Sequence, residues 1–281
     1  MQQEEGSGNG RECERVQNVG YRDPANAQQR LDLYLPSDTY GKPPPLLVYI
    51  HGGAWVDRSK DAYGHIGRCF ASKGIAVAVI DYTLSPKRRS STVHPVHTND
   101  VAAAVHWLKT NAQTYGYDPQ RIFLFGHSAG AHMSGLLALD PSYLSQFGES
   151  AASSLRGIVG ASGIYDLVLL NQECPTYKEL FTIFAFGEES KWKDASPQHC
   201  PSHKTEGGVP VSVPWLLFHS EEDELCPINQ TTRFREHLQQ LGIPVQMGEC
   251  SGSHYAVVDA IGDEGKDQLT AQILKFIQES S

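Results

Sequence analysis

A serine hydroxyl is a weak nucleophile at neutral pH and attacks an acyl carbon only when a base takes its proton. One serine of this chain stands in a setting made for that reaction. Gly126-His127-Ser128-Ala129-Gly130 lies between an apolar run ending at Phe125 and an apolar stretch from Ala129 through Leu139. Gly-x-Ser-x-Gly between a strand and a helix makes a sharp turn that lifts the hydroxyl above the sheet, and its glycines permit the close packing such a turn needs. The five-residue pattern alone arises by chance, so its strand-turn-helix setting is what marks Ser128 as the candidate nucleophile.

The acid and base of such a site follow the serine in the order Ser, Asp or Glu, His. Downstream, Phe218-His-Ser-Glu-Glu-Asp223-Glu-Leu-Cys-Pro227 puts an acidic cluster just past a buried apolar run, and Asp223 is the expected acid, with Glu222 and Glu224 as rivals. The chain has 12 histidines, so position must choose among them. His106 falls within a helical stretch, His132 follows the serine turn, His94 and His97 flank Pro95, and His219 ends a strand. Only His254, in the small-residue loop Cys250-Ser-Gly-Ser-His254, follows both Ser128 and Asp223 after a strand. Such a loop lets an imidazole reach between a carboxylate and a serine on different strand ends.

A tetrahedral intermediate carries a developing oxyanion, which backbone N–H groups on a glycine-rich loop approach without side-chain hindrance. His51-Gly52-Gly53-Ala54-Trp55 follows the apolar run Leu46 to Ile50, and alone it would be no more than a tight turn. Combined with the serine turn, it makes the amides of Gly52, Gly53 and Ala129 the expected oxyanion donors.

Positioning these groups requires a sheet. Leu46 to Ile50, Ile75 to Ile80, Ile122 to Phe125 and Trp215 to Phe218 are short apolar runs, the pattern of parallel strands covered on both faces. Leu31, Leu33 and Leu35 alternate with polar residues before Pro36, as in a half-buried strand near a sheet edge. Val101, Val105 and Leu108 recur at helical spacing, with Asn99 or Asp100 as N-cap and Gly116 as stop. A helix over 232–241 ends at Gly242, and Leu269, Ile273, Phe276 and Ile277 give a last helix its apolar face. Strands alternating with helices imply an α/β fold with a mostly parallel sheet flanked by helices. One domain over 1–281 is expected, with a polar N-terminal extension over 1–20. Residues 163–212, mixing Tyr177, Phe181, Phe184, Phe186 and Trp192 with Pro, Ser, Gly and His, read as a small cap inserted in it.

Composition excludes several classes. A net charge of −9 speaks against nucleic acid, which needs a concentrated basic surface, and Lys87-Arg88-Arg89 is short enough to be a solvated loop. No basic, apolar leader opens the chain and no run approaches the roughly 20 apolar residues of a membrane span, so a cytoplasmic protein with no membrane span is expected. Six scattered cysteines without metal-ligand spacing favour free thiols, a Cys174 to Cys200 bridge being the one conceivable pairing, and no metal is expected. Asn229-Gln-Thr231 matches a glycosylation sequon but reads better as a helix start.

Taken in order, His51-Gly-Gly-Ala-Trp55, Asp81-Tyr82, Asp118-Pro, Gly126-His-Ser-Ala-Gly-Ala-His132, Gly163-Ile-Tyr-Asp166, Asp194-Ala-Ser-Pro197, Asp223 and His254 resemble the esterase branch of the α/β-hydrolases. That branch includes hormone-sensitive-lipase-like carboxylesterases and kynurenine formamidases, and the resemblance runs from Gln29 onward. It implies the α/β-hydrolase fold, no cofactor, a triad of Ser128, Asp223 and His254, and a pocket shaped by the cap. Many lipase-like relatives have a third glycine where Ala54 stands, and His-Gly-Gly-x-Trp is closer to the formamidases. The expected partner is therefore a small-molecule ester or amide, the activity a carboxylesterase or an arylformamidase-like hydrolase. Trp55, His127, Tyr165 and Phe186 are the expected substrate-binding residues. A hydrolase fold turned ligand receptor would carry a broken triad or oxyanion loop, whereas here every part is present. A peptidase or true lipase would carry an extra propeller-like domain or a long apolar lid helix. Oligomeric state stays open between monomer and homodimer.

Overall fold

Eight strands form one sheet in the order β1-β2-β4-β3-β5-β6-β7-β8. The structure is a computed structural model that describes residues 13–38, 41–148, 154–200 and 213–280. The strands are β1 (Cys13–Gly20), β2 (Arg30–Pro36), β3 (Leu46–Ile50), β4 (Ala76–Ile80), β5 (Ile122–His127), β6 (Leu155–Ala161), β7 (Trp215–Phe218) and β8 (Val245–Met247). The β1–β2 and β2–β4 pairs are antiparallel and all the others parallel, which gives the mostly parallel sheet of an α/β-hydrolase fold. The last eight residues of the expected N-terminal extension are thus edge strand β1, and residues 1–12 lie outside the described residues.

Period-2 alternation sorts each central strand between two cores. Leu46, Val48 and Ile50 of β3 face one, with Leu124 of β5 and the helices α2 (Val96–Thr110), α3 (Ala129–Leu139) and α5 (Asn229–Gln240). Leu47 and Tyr49 face the other, with Phe123, Phe125, α1 (Gly64–Ala71) and α6 (Thr270–Glu279). Covering both faces explains why these strands read as unbroken apolar runs. Between β6 and β7 the chain forms α4 (Leu167–Glu173) and several short helical turns, and residues 201–212 of the expected cap lie outside the described residues.

Helix α2 begins at Val96, after the cis bond His94-Pro95, so Asn99 and Asp100 are inside it and neither caps it. Asp100 is buried instead as a tie-point, accepting from the Arg22 guanidinium at 2.8 Å, from the Thr83 amide at 3.0 Å and from the Thr83 hydroxyl at 2.5 Å. Helix α5 starts at Asn229, in line with the sequon being a helix start, and Gly242 follows it in the left-handed region at φ 72°. All six cysteines are free thiols. No helix among the described residues is long and apolar enough to cross a membrane.

Candidate active site

Ser128 sits where β5 turns into α3, with φ 54° and ψ −117°, a region that non-glycine residues rarely adopt and that costs about 1–3 kcal/mol. Neighbouring backbone holds it there. The Ser128 amide donates to the Ala161 carbonyl at 2.9 Å, and its carbonyl accepts from Ala131 at 3.0 Å and His132 at 3.2 Å. Both flanking glycines are sterically required: a Cβ on Gly126 would lie 2.4 Å from the Ala131 nitrogen, and one on Gly130 would lie 2.0 Å from the Ile50 carbonyl oxygen. The turn therefore brings α3 hard against β3, and its serine opens the helix with the first amides of α3 unused by the helix itself.

His254 and Asp223 meet on loops after β8 and β7. The His254 ring donates from Nδ1 to the Asp223 carboxylate at 2.9 and 3.0 Å, which leaves Nε2 as the acceptor. Burial opposes ionisation of Asp223, but the hydrogen bond and charge of His254 and the amide of Cys226 outweigh it and hold the carboxyl well below the usual carboxylate range. The Cys226 and Leu225 amides donate to Oδ1 at 2.8 and 3.0 Å and so fix the carboxylate plane. Of the rivals, Glu224 accepts from the backbone amide of His254 at 3.0 Å, and Asp223 alone takes the ring. His219 is buried at the end of β7, bonded to the Thr231 hydroxyl and the Cys226 carbonyl.

The loop after β3 is tied down by its carbonyls. The Tyr82 hydroxyl donates to the His51 and Gly52 carbonyls at 3.1 and 3.3 Å, and His51 donates from Nδ1 to the Gly52 carbonyl at 2.7 Å while its ring stacks on Tyr82. Gly53, at φ 105°, accepts from the amides of Val56 and Asp57. Gly52 runs against the serine turn so closely that a Cβ there would sit 3.0 Å from both Ser128 Cβ and His127 Nδ1.

Ser128 and His254 line one cavity of about 170 Å³, walled by Ala54, Ile164, Tyr177, Phe181, Leu225, Cys226 and Tyr255. The four residues expected to bind substrate are not on this wall. Trp55 is fully buried, edge-on to His132 and Phe186, and Phe186 is buried in the same aromatic cluster. Tyr165 stacks on Phe234 at 3.9 Å beneath the sheet's covering helices. His127, the residue before the serine on β5, is fully buried, with its ring 4.7 Å from that of His254, and donates from Nε2 to the His254 carbonyl at 2.8 Å. It braces the histidine loop instead of facing ligand. Sequence position carried a signal for the true wall: Tyr255 follows the histidine, Leu225 and Cys226 follow the acid, and Ala54 follows the glycine pair. Tyr177 and Phe181 were visible only as aromatics of the stretch expected to form a cap.

Burial keeps several rings neutral. His94 is pushed down to about 4, and His97 and His127 to about 3, in each case first by burial. Their folded values lie below the unfolded value of about 6.5, so the unfolded chain binds more protons between those limits, and stability present above pH 6.5 is lost as pH falls. The thermal midpoint is expected to drop steadily between pH 6.5 and 4.5, above the range where Asp223 protonates. A midpoint flat across that window, followed by circular dichroism, would show that these rings are not buried neutral.

Sheet order, serine turn and chain order of the three side chains define an α/β-hydrolase. The chain belongs to the BD-FAE family, whose model matches residues 31–238. It is 29% identical over 259 residues to isoprenylcysteine alpha-carbonyl methylesterase ICME of Arabidopsis thaliana, covering 89% of this chain and 59% of that protein. It is 30% identical over 248 residues to kynurenine formamidase avaC of Aspergillus versicolor, covering 74% of this chain and 81% of that protein. The chain spans from 46% to 61% of the length of the first curated relatives it matches. Among solved structures, Esterase B from Lactobacillus Rhamnosis shares the fold with a TM-score of 0.79 at 18% identity, over 96% of this chain and 86% of that one.

Proposed function

We propose that this protein is a serine-dependent carboxylic ester hydrolase that acts on small esters, short-chain or aryl, through an acyl-enzyme on Ser128. The observation that carries this reading is the presence of Ser128, at a strained strand-to-helix turn, and the Asp223-braced His254 on one cavity. In the mechanism, His254 Nε2 takes the serine proton as Oγ attacks the acyl carbon, and Asp223 orients and stabilises the imidazolium. The amides of Gly52, Gly53 and Ala129 receive the oxyanion, His254 returns its proton to the departing alcohol, and water releases the acid through the same base. The apolar wall and the cavity of about 170 Å³ favour acetyl to butyryl chains over octanoyl. Six unbridged thiols fit a reducing compartment such as the cytoplasm.

A second reading, hydrolysis of an N-formyl aryl amide, is favoured by one observation: the kynurenine formamidase is the relative with 81% of its length covered. A formyl group is also the smallest acyl the cavity can take. Rates on p-nitrophenyl acetate, butyrate and octanoate beside N-formylkynurenine, with Ser128→Ala as control, separate the two. Serine-dependent turnover with short esters preferred supports the esterase, and a higher kcat/KM on N-formylkynurenine moves the assignment to a formamidase. A folded protein that cleaves none of them removes both readings.

The oxyanion role has its own test. Gly52→Ala places a methyl 3.0 Å from Ser128 Cβ and from the His127 ring, so the loop and the serine turn must part by a few tenths of an ångström, which shifts the Gly52 amide. Losing one such donor costs about 100- to 1000-fold in kcat. Wild-type kcat in a folded Gly52→Ala protein would remove Gly52 from the oxyanion site.

A further inference from the structure

Tyr255 is one of the cavity's wall residues, and a cation covers its ring. The Arg58 guanidinium carbon lies 4.3 Å from the Tyr255 ring centroid, a cation–π distance. Its stem packs on the oxyanion loop, since a Cβ on Gly53 would meet Arg58 Cγ at 2.8 Å. The backbone of Arg58 is fixed as well, at φ 79°, with its amide donating to Asp57 Oδ1 at 2.8 Å. The guanidinium is thus held at both ends beside a wall residue of the cavity, and among the described residues no carboxylate lies within 4.0 Å of it. Neighbouring acids are engaged elsewhere: Asp57 pairs with Lys87, and Glu224 accepts from the His254 amide. Asp259 acts on Arg58 only through space.

This cation lies on the leaving-group side. His254 must hand its proton to the departing oxygen, so the leaving group rests against His254, and Tyr255 is the next residue. Arg58 also makes a side-chain hydrogen bond to Tyr255, and a guanidinium's planar fork has five donors, so with one on Tyr255 the others match a carboxylate.

We infer that Arg58 is a specificity residue that selects substrates whose leaving group carries a carboxylate. This rests on the serine hydrolase reading above. The reaction is unchanged: Ser128 displaces an aryl or alkyl oxygen, or an amide nitrogen, and the anionic leaving group departs with the proton from His254.

The test compares 3- and 4-acetoxybenzoate with the matching acetoxybenzamides, which have nearly the same shape and lack the charge. The quantity read is the ratio of kcat/KM, acid over amide. In the wild type that ratio is expected to be about 10 at low salt and to shrink as salt screens the pair. Arg58→Gln is expected to lower the ratio about tenfold, and Arg58→Lys to keep part of it because charge remains while the fork is lost. A clamp role alone would slow acid and amide together and leave the ratio where it was. A wild-type ratio near one, or a ratio unmoved by Arg58→Gln, overturns the inference while turnover of the neutral amide-bearing acetate still supports the esterase. Turnover of neither ester overturns both.

Discussion

Ser128→Ala is expected to lower kcat on p-nitrophenyl butyrate by about 10⁴- to 10⁶-fold, the upper figure being the scale measured when the nucleophile of a serine protease is removed. No other hydroxyl replaces it, because only residue 128 stands at the turn between β5 and α3, beside Gly52 and on the cavity that His254 lines. The residual rate is expected to come from substrate binding and the proposed oxyanion amides, which the substitution leaves in place. Alanine keeps the Cβ and hence the same backbone strain at φ 54°, so the thermal midpoint should not move by more than a degree or two. A phosphonate ester provides the stoichiometric readout: wild type should gain one phosphonyl group by mass spectrometry, and Ser128→Ala none. Labelling or turnover by the alanine variant would move the nucleophile elsewhere.

How much of this was legible in the sequence depends on what each residue does physically. Strands buried on both faces announce themselves, so β3, β4, β5 and β7 were read nearly to the residue. Strand β6 was not, because Leu155-Arg-Gly-Ile-Val-Gly-Ala161 is diluted by glycines. Those glycines are packing devices: a Cβ on Gly157 would meet Phe276 at 2.6 Å, and one on Gly160 would meet the Tyr165 hydroxyl at 2.2 Å. Strand β1 was taken for a polar extension because an edge strand needs little apolar side chain. Its anchor is ionic: Arg15 and Lys60 both bind the buried Asp32 carboxylate, at 2.7 and 3.0 Å, a pairing between distant residues that no local pattern contains. That Ser128, Asp223 and His254 come together could be read because chain order and strand-end position are sequence properties. The cavity wall could not. Whether Trp55 or Ala54 faces ligand depends on positive φ values of 51° at Ala54 and 60° at Trp55, which turn the indole into the core and leave the methyl on the cavity. His127 is off the cavity wall because, at the end of β5, its ring is buried against the His254 loop.

Alternation of donors and acceptors decides the second large effect, that of Asp223→Asn. Oδ1 of Asp223 already accepts the amides of Leu225 and Cys226, so the asparagine oxygen is held on that side and its NH₂ falls at the Oδ2 position, 2.9 Å from His254 Nδ1. The amide then donates to Nδ1, which must become an acceptor, and the imidazole proton moves to Nε2. An Nε2 that carries a proton cannot take one from Ser128. The loss expected is about 10⁴-fold in kcat, as measured for the corresponding change in another serine hydrolase whose geometry stayed intact. KM should change far less, because Asp223 is shielded from the cavity behind His254. Glu224 supplies the contrast: Glu224→Gln keeps an acceptor for the His254 amide and leaves the ring tautomer alone, so its effect should stay within about tenfold. Measuring kcat for both variants on one ester separates orientation of the ring from anchoring of its backbone. If Asp223→Asn retained a tenth of wild-type kcat while Glu224→Gln lost a thousandfold, the acid of the triad would have to be reassigned to Glu224.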